Sequence, residues 1–253
     1  MVRVLGLNFL NANADEAVRR MSHNGGVVAV PAAPAMVRLQ YDPVYRDAIS
    51  RADLAIPDSG LMVLVSRLQG HGKLQRISGL AYLQRLLQEA DFNIARGSFF
   101  VLPSEEAKTK LLHWAERTNR PLSSQDCYVA PQYELEVTDS KLMEIIAAQK
   151  PRHVVIAIGN GPQEKLGIYL RENLPYRPAI HCIGAALGFL TGDQVAIPQW
   201  ADRFFMGWLF RLVSQPRIFI PRLARAASLP WLMVRYGSEL PPLRAKRAAG
   251  SRK

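Results

Sequence analysis

Asp58 is the residue of this sequence best placed to move a proton. It follows a short apolar run at residues 53–57 and precedes Ser59 and Gly60. A carboxylate just beyond a strand, followed by small residues, stands at the edge of a sheet, where it accepts a proton from an attacking hydroxyl. The same pattern before an apolar helix is also typical of a helix N-cap, so both roles stay open at this point.

A second candidate site opens the helix that follows the most apolar predicted strand. Its residues are Gly159, Asn160, Gly161, Gln163 and Glu164. The two glycines let the backbone approach a ligand closely, and free N–H groups at the helix start favour an anion such as a diphosphate. The stretch lacks the third glycine of the dinucleotide fingerprint and the Gly-Lys-Ser/Thr of a P-loop. A plain strand-to-helix turn is the alternative.

The sequence carries no pattern for a metal ion or a covalent nucleophile. The five histidines have no metal-ligand spacing, and there is no Asp-x-Asp pair. A Gly-x-Ser-x-Gly elbow and a Cys–His pair are also missing. Cys127 and Cys182 lie in strand-like runs and are predicted to be buried, reduced thiols. We therefore expect neither a metal site nor a cofactor.

The elements that must position these residues alternate between short apolar runs and amphipathic helical stretches. Strands are predicted at 2–7, 26–30, 53–56, 98–102, 126–130, 153–158 and 179–184, and helices at 14–21, 44–51, 61–68, 80–90, 105–118, 139–149 and 163–172. This alternation predicts an α/β fold, a mostly parallel sheet with helices on both faces. Such sheets bind ligands beyond the carboxyl ends of their strands. Asp58, the turn at 159–164 and a loop of small residues that begins at Gly184 all fall there. For the Gly184 loop, close packing of a helix on the sheet is the alternative.

Most of the positive charge lies at the C-terminal end. Residues 199–253 carry +9 of the net charge of +11 and three of the four Trp. Arginine interleaved with aromatic side chains is typical of a surface that meets anionic phosphates at an apolar boundary. We therefore divide the chain into an α/β core at 1–198 and a basic helical appendage at 199–253. Nucleic acid is not an expected partner, because zinc-finger, RRM and basic-zipper patterns are missing.

The appendage has two predicted parts. An amphipathic helix at 199–213 packs either on the core or on a membrane. The basic stretch at 217–225 is predicted to lie at a membrane interface. No apolar run reaches the ~20 residues that cross a bilayer, and no signal peptide is recognised. We expect a cytoplasmic protein that lies on a membrane, and whose copies associate when no membrane is present.

Together these blocks resemble the WecG/TagA/CpsF family of bacterial glycosyltransferases. The similarity runs from about residue 4 to residue 225. It is carried in order by Leu5-Gly6 with Asp15-Glu16-Ala17, by 47–60 with Pro57-Asp58-Ser59-Gly60, by Arg76-Ile77-Ser78-Gly79, by the 159–165 block, and by 184–200 and 207–217.

The resemblance implies a Rossmann-like fold and an inverting, metal-independent transfer of a sugar. The donor would be a UDP-sugar, and the acceptor a polyprenyl-diphosphate-linked sugar at the inner face of the cytoplasmic membrane, for exopolysaccharide, teichoic acid or a related polymer. It implies that Asp58 is the general base and that Gln163 lies in the donor pocket. It also implies that appendage arginines close over the site, for which Arg211, Arg217 and Arg222 are the candidates.

The chain departs from the family pattern at several polar positions. Pro31-Ala32-Ala33 replaces Thr-Pro-Asn or Thr-Leu-Asn, Pro103-Ser104 replaces Gly-Gly, and two family Asp positions hold Ala81 and Gly188. These losses predict a donor sugar other than the N-acetylmannosamine type, such as a plain hexose. They also allow an alternative function, a degenerate membrane-bound adaptor of a polysaccharide assembly complex.

Overall fold

A computed structural model describes residues 1–70, 74–192 and 216–244. Within these residues, one eight-stranded sheet is flanked by helices. The strands are β1 (Val2–Val4), β2 (Leu7–Phe9), β3 (Gly26–Ala29), β4 (Leu54–Ala55), β5 (Ser98–Leu102), β6 (Cys127–Val129), β7 (His153–Ile156) and β8 (Ala179–Cys182). The helices are α1 (Ala14–Asn24), α2 (Ala33–Arg38), α3 (Pro43–Ser50), α4 (Gly60–Leu68), α5 (Gly79–Leu86), α6 (Glu105–Arg117), α7 (Ser140–Gln149), α8 (Pro162–Asn173), α9 (Gly188–Thr191), α10 (Pro216–Ala226) and α11 (Leu229–Tyr236). The predicted α/β class is confirmed.

The sheet brings the candidate loops to one edge. Its strand order is β1-β2-β4-β3-β8-β7-β5-β6. All neighbouring pairs are parallel except β1 and β2. The carboxyl ends of β2 to β8 therefore share an edge, and the loops after β4, β7 and β8 carry Asp58, Gly159 and Gly184 respectively.

Alternate side chains of the central strands enter opposite halves of the core, as a sheet covered on both faces requires. Val28, Phe100 and Val155 pack under α1, α5 and α6. Val27 and Val154 are buried on the other face, against α7 and α8. Helices on both faces were predicted, and this arrangement confirms them.

The first predicted strand is wrong in one respect, because residues 2–7 form a hairpin rather than a continuous strand. Leu5 and Gly6 have φ of 47° and 81°, the positive values that a tight two-residue hairpin turn requires. Their amides donate to the carbonyls of Gly237 (2.8 Å) and Ser238 (2.9 Å). A side chain at Gly6 would overlap Leu240, so glycine is needed there for space as well as for conformation.

Helix α2 was not among the predicted helices. Pro34 stands in the first turn of α2, where its fixed φ suits a helix and its missing N–H costs nothing. Ala35, Met36 and Val37 are buried against the core. Tertiary burial thus stabilises a helix too short for its sequence to indicate.

The C-terminal residues that the structure describes pack into the body. Leu229, Leu232 and Met233 of α11 belong to the same buried cluster as the β1–β2 hairpin. The Gln69 side chain donates to the carbonyl of Met233 at 3.1 Å, and the Arg244 amide donates to that of Gln40 at 2.7 Å. The boundary predicted at 198, the helix predicted at 199–213 and Arg211 lie outside the described residues.

A row of buried polar side chains lies on one face of the sheet, over β7 and β8. His153 and His181 have no exposed surface, and their rings stack with centroids 5.3 Å apart. Nδ1 of His153 lies 3.1 Å from Nε2 of His181, the Tyr82 hydroxyl lies 2.8 Å from Nδ1 of His181, and Nε2 of His153 lies 3.0 Å from an Asp91 oxygen. Every group is satisfied if Tyr82 donates to neutral His181, His181 to neutral His153, and His153 to Asp91.

The two buried histidines should make the folded protein less stable in mild acid. Burial, reinforced by repulsion from His153, holds the pKa of His181 well below its usual value, and burial lowers the pKa of His153 despite Asp91. Because the unfolded chain then binds more protons, stability should fall as pH drops below about 6.5, by up to about 1.4 kcal/mol per pH unit for each histidine. Urea unfolding at pH 7.5, 6.5 and 5.5 measures this.

His181→Gln should flatten that dependence, whereas His113→Gln, on the exposed side of α6, should leave it unchanged. An equal slope in His181→Gln and in the unmodified chain would contradict the assignment of the acid sensitivity to the buried pair.

Candidate active site

Asp58 stands at the carboxyl edge with part of its carboxylate unoccupied. The side chain is half-buried, and Oδ1 accepts the amide of Gly79 at 3.0 Å. The Asp58 carbonyl accepts Nε of Arg76 at 2.8 Å. Within the described part of the chain, Oδ2 accepts no hydrogen bond, so it is available to a substrate hydroxyl.

Asp58 is not the N-cap of the helix that follows it, and the alternative weighed from the sequence is wrong. Ser59 caps α4, because its Oγ accepts the Met62 amide at 3.2 Å. Asp58 instead accepts an N–H at the start of α5, where a helix leaves its first amides unsatisfied. That bond fixes the carboxylate against the N-terminal end of α5 and leaves its second oxygen at the edge.

The turn at the start of α8 is built around the carboxylate of Glu164. Glu164 is 1% exposed, and its oxygens accept the Gly161 amide (2.6 Å), Nε2 of Gln163 (2.9 Å) and Nδ2 of Asn160 (3.1 Å). Burial raises the pKa of this carboxyl, and the hydrogen bonds oppose that rise. The sequence predicted free N–H groups at this helix start. The Gly161 N–H is not free, because it already donates to the carboxylate of Glu164.

Gln163 and Gly184 meet where the turn faces β8. Gln163 is fully buried, and its Nε2 also donates to the Cys182 carbonyl at 3.3 Å. Its Oε1 has no hydrogen-bond partner among the described residues. A Cβ built on Gly184 would lie 3.6 Å from the Gln163 amide and 3.8 Å from Oδ1 of Asn160. The two amides thus converge on the backbone at the end of β8.

The structure brings Gly159, Asn160, Gly161, Gln163 and Gly184 together, and Asp58 follows a different strand, β4. Between β4 and β7 lie β3 and β8. Three strand spacings of ~4.8 Å separate the ends of β4 and β7 by about 14 Å. A nucleotide sugar extended along the edge would have its diphosphate at one end and its sugar at the other.

Arg217 and Arg222 lie on α10, which packs against α2 and presents both residues to the surface. Helix α2 begins just after β3, so α10 flanks the same edge of the sheet. The positions at which the chain departs from the family pattern are Ala33 at the start of α2, Ala81 in the first turn of α5 and Gly188 at the start of α9.

Two arginines of this edge had no role assigned from the sequence. Arg76 lies in one of the resemblance blocks and contacts the backbone of Asp58. Arg38 ends the unpredicted helix α2, and its Nη1 donates to the Asn160 carbonyl at 3.0 Å. The sequence signal for Arg38 is weak, because a lone arginine near small apolar residues indicates a site only once α2 is known.

Within the described ranges, no group of three or more His, Cys, Asp or Glu side chains could hold a metal ion. Both cysteines are free and buried, as predicted, and burial raises the pKa of Cys127 to about 12. The described groups at this edge include the Asp58 carboxylate, the side-chain amides of Asn160 and Gln163, and the guanidinium groups of Arg38 and Arg76.

Comparison with known proteins shows which family the chain belongs to. Residues 2–242 match the glycosyl transferase WecG/TagA/CpsF family. The chain belongs to this family. It is therefore a glycosyltransferase, as the resemblance implied.

Two WecG/TagA/CpsF relatives carry the same name, N-acetylglucosaminyldiphosphoundecaprenol N-acetyl-beta-D-mannosaminyltransferase. The protein of Bacillus spizizenii is 29% identical over 217 residues, which cover 83% of this chain and 78% of that protein. The protein of Bacillus subtilis is 26% identical over 176 residues, which cover 69% of this chain and 66% of that protein.

In this WecG/TagA/CpsF chain, removal of the Glu164 carboxylate should loosen the turn and destabilise the fold. Glu164→Ala leaves three buried or half-buried N–H donors without an acceptor, so the free energy of unfolding should fall by about 3 kcal/mol. Urea denaturation measures it. Glu116→Ala, on the exposed side of α6, is the control and should change stability by less than about 0.5 kcal/mol. A loss no greater than that of the control would show that Glu164 does not organise the turn.

Proposed function

We propose that this chain is an inverting, metal-independent glycosyltransferase. It moves a sugar from a UDP-sugar to a polyprenyl-diphosphate-linked sugar in the synthesis of a cell-surface polymer. The observation that carries the proposal is the Asp58 carboxylate, of which, among the described residues, Oδ1 is hydrogen-bonded and Oδ2 is open. It lies at the same carboxyl edge of the sheet as the turn of Gly159 and Gln163. The diphosphate-linked lipid in the names of both relatives supports the acceptor class.

The reaction follows from this geometry. Oδ2 of Asp58 takes the proton of the acceptor hydroxyl, whose oxygen attacks the anomeric carbon of the donor sugar. The bond from that carbon to the UDP oxygen breaks, and its electron pair leaves with the diphosphate. Attack and departure on opposite faces invert the anomeric centre. The bond from the Gly79 amide to Oδ1 keeps the carboxylate in place while Oδ2 receives the proton.

The donor sugar is proposed to differ from the N-acetylmannosamine named for the relatives. Ala33 and Ala81 both lie at helix starts on the carboxyl edge and carry no polar side-chain atom. A sugar with fewer groups to hydrogen-bond, such as a plain hexose, suits such positions, because a site without a donor or acceptor gains nothing from an acetamido group. A panel of UDP-sugars, scored by transfer to a lipid-linked acceptor, identifies the donor.

Loss of the carboxylate at position 58 should abolish most of the transfer. Asp58→Asn keeps an oxygen for the Gly79 amide but cannot accept the proton, so kcat should fall about 10²- to 10⁴-fold while the fold persists. Steady-state transfer assays and thermal unfolding measure the two effects. Asp47→Asn, an exposed carboxylate at the opposite edge that pairs with Arg51, is the control. Unchanged turnover in Asp58→Asn would refute the general base.

The same panel decides the alternative function. If no UDP-sugar of the panel is transferred, the departures at Ala33, Ala81 and Gly188 favour the alternative function, a membrane-bound adaptor without catalytic activity. Transfer of any sugar by the purified protein excludes that alternative, whereas binding to membranes without transfer of any sugar supports it.

We propose that the protein lies on the inner face of the cytoplasmic membrane through α4, α10 and α11. Among the side chains of these helices that the structure describes, the exposed large apolar ones are Leu64, Leu68, Ile220, Leu223, Trp231 and Val234. Helix α4 packs against α11, and both α10 and α11 pack against α2, so the three helices are neighbours. None of the described helices is both long enough and apolar enough to span a bilayer.

The charges on α10 support an anionic lipid surface as the partner. Arg217, Arg222 and Arg225 are exposed beside Ile220 and Leu223, and α10 and α11 contain no acidic residue. Exposed apolar groups enter the acyl boundary while arginines meet lipid phosphates, as in interfacial helices. Because Asp58 directly precedes the N-cap of α4, such docking would bring the base close to a lipid-linked acceptor.

Charged substitutions on α4 and α11 should weaken binding to anionic vesicles. The double variant Leu68→Glu/Val234→Glu should lose at least about tenfold in affinity for phosphatidylglycerol vesicles, since two apolar insertions are removed. Cosedimentation with vesicles measures it. Leu135→Glu is the control, because Leu135 is 68% exposed, close to the 70% of Val234, but lies outside these helices. Equal binding of all three proteins would contradict the proposed surface.

A further inference from the structure

The start of α8 has little capacity left for an external anion. The Gly161 amide donates to the Glu164 carboxylate at 2.6 Å, and the Gln163 amide donates to the Gly159 carbonyl at 3.3 Å. Pro162 has no N–H to offer. A diphosphate beside this turn would also meet a carboxylate of its own sign, so it needs a cation from another element.

Arg38 is a cation in contact with this turn. Its Nη1 donates to the Asn160 carbonyl at 3.0 Å, across 122 residues of sequence. A Cβ on Gly161 would collide with the Arg38 guanidinium, so glycine makes room for the arginine as well as for the positive φ of 106°. The guanidinium therefore lies directly on the turn rather than near it.

The Arg38 guanidinium is held in place, yet most of its donors are unused. It lies over the ring of the fully buried Tyr45, with its central carbon 5.6 Å from the ring centroid. This contact orients the cation without consuming its N–H groups. Among the described residues, Arg38 forms one hydrogen bond and no ion pair. A guanidinium has five N–H donors in a fork that matches phosphate oxygens, so four remain for a ligand.

The turn also has an open side and an unsatisfied group. Among the described residues, no atom lies within 4 Å of the position that a Cβ on Gly159 would take. Oε1 of the fully buried Gln163 has no partner there either. A buried amide oxygen without a donor indicates that a ligand or water belongs beside it. That oxygen takes a donor such as water or a hydroxyl, so the features that suit a phosphate are the open side and the cation with free donors.

We propose that Arg38 binds the diphosphate of the nucleotide-sugar donor. It forms bidentate hydrogen bonds to the phosphate oxygens and neutralises the charge that UDP gains when the bond to the anomeric carbon breaks. This role rests on the proposed function. The donor diphosphate is chosen because the charge that develops during transfer falls on the UDP leaving group, where a fixed cation is most effective.

Binding of UDP, UMP and uridine to the full-length protein tests the role. Isothermal titration should show that Arg38→Ala weakens UDP about 10- to 150-fold, the range for hydrogen bonds to charged groups. Uridine should bind within about threefold of its affinity for the unmodified protein, since it has no phosphate. Arg38→Lys should recover part of the loss, and Arg38→Gln, which keeps a donor for the Asn160 carbonyl but no charge, should not.

Arg51→Ala is the matched control. It deletes an arginine that lies at the opposite edge of the sheet and pairs with Asp47 and Glu172, so UDP affinity should not change. Equal losses for UDP and uridine in Arg38→Ala would overturn the role and assign Arg38 to the shape of the turn. A raised KM for the lipid-linked acceptor with an unchanged UDP affinity would overturn the choice of donor. Failure of the unmodified protein to bind UDP would instead refute the proposed function itself, and with it this role.

Discussion

The site depends on the carboxylate of Glu164, which occupies the start of α8, where the sequence predicted an anionic ligand. Glu164 is enclosed at the start of α8 and is surrounded by N–H groups from Asn160, Gly161 and Gln163. Removing a carboxylate from water is costly, and these bonds make the burial tolerable. In return, the turn has a fixed shape. Its two glycines are held at positive φ, and its open side faces the sheet edge.

The second end of the site is fixed in the same manner, by a polar group that satisfies a helix start. Asp58 accepts an amide at the beginning of α5, while Ser59 and Ser78 cap the two neighbouring helices. The residue that would move the proton is therefore oriented by the same bonds that begin α5. Both ends follow strands of one sheet, so the order of those strands places them along the same edge.

The sequence allowed most of the framework to be predicted, because parallel strands buried on both faces are apolar runs that stand out between amphipathic helices. Helix α2 was missed, since it is six residues long and is stabilised by burial that no local pattern reveals. Arg38 was missed for the same reason, and its hydrogen-bond partner Asn160 is 122 residues away in the sequence. The N-cap of α4 was also open, because Asp58 and Ser59 are equally suitable cap residues and only the fold chooses between them. Glu164 was counted as a binding residue because it belongs to the glycine-containing turn. Its oxygens accept N–H groups of that turn, a role that depends on burial and that the local pattern does not reveal.

The contact between the first hairpin and residues 237–240 has a consequence for how the protein is made. The amides of Leu5 and Gly6 find their acceptors in Gly237 and Ser238, and the space above Gly6 is filled by Leu240. The ribosome synthesises the hairpin long before residues 237–240. The core around β1 and β2 therefore stays incomplete until those residues have left the ribosome and reached the hairpin.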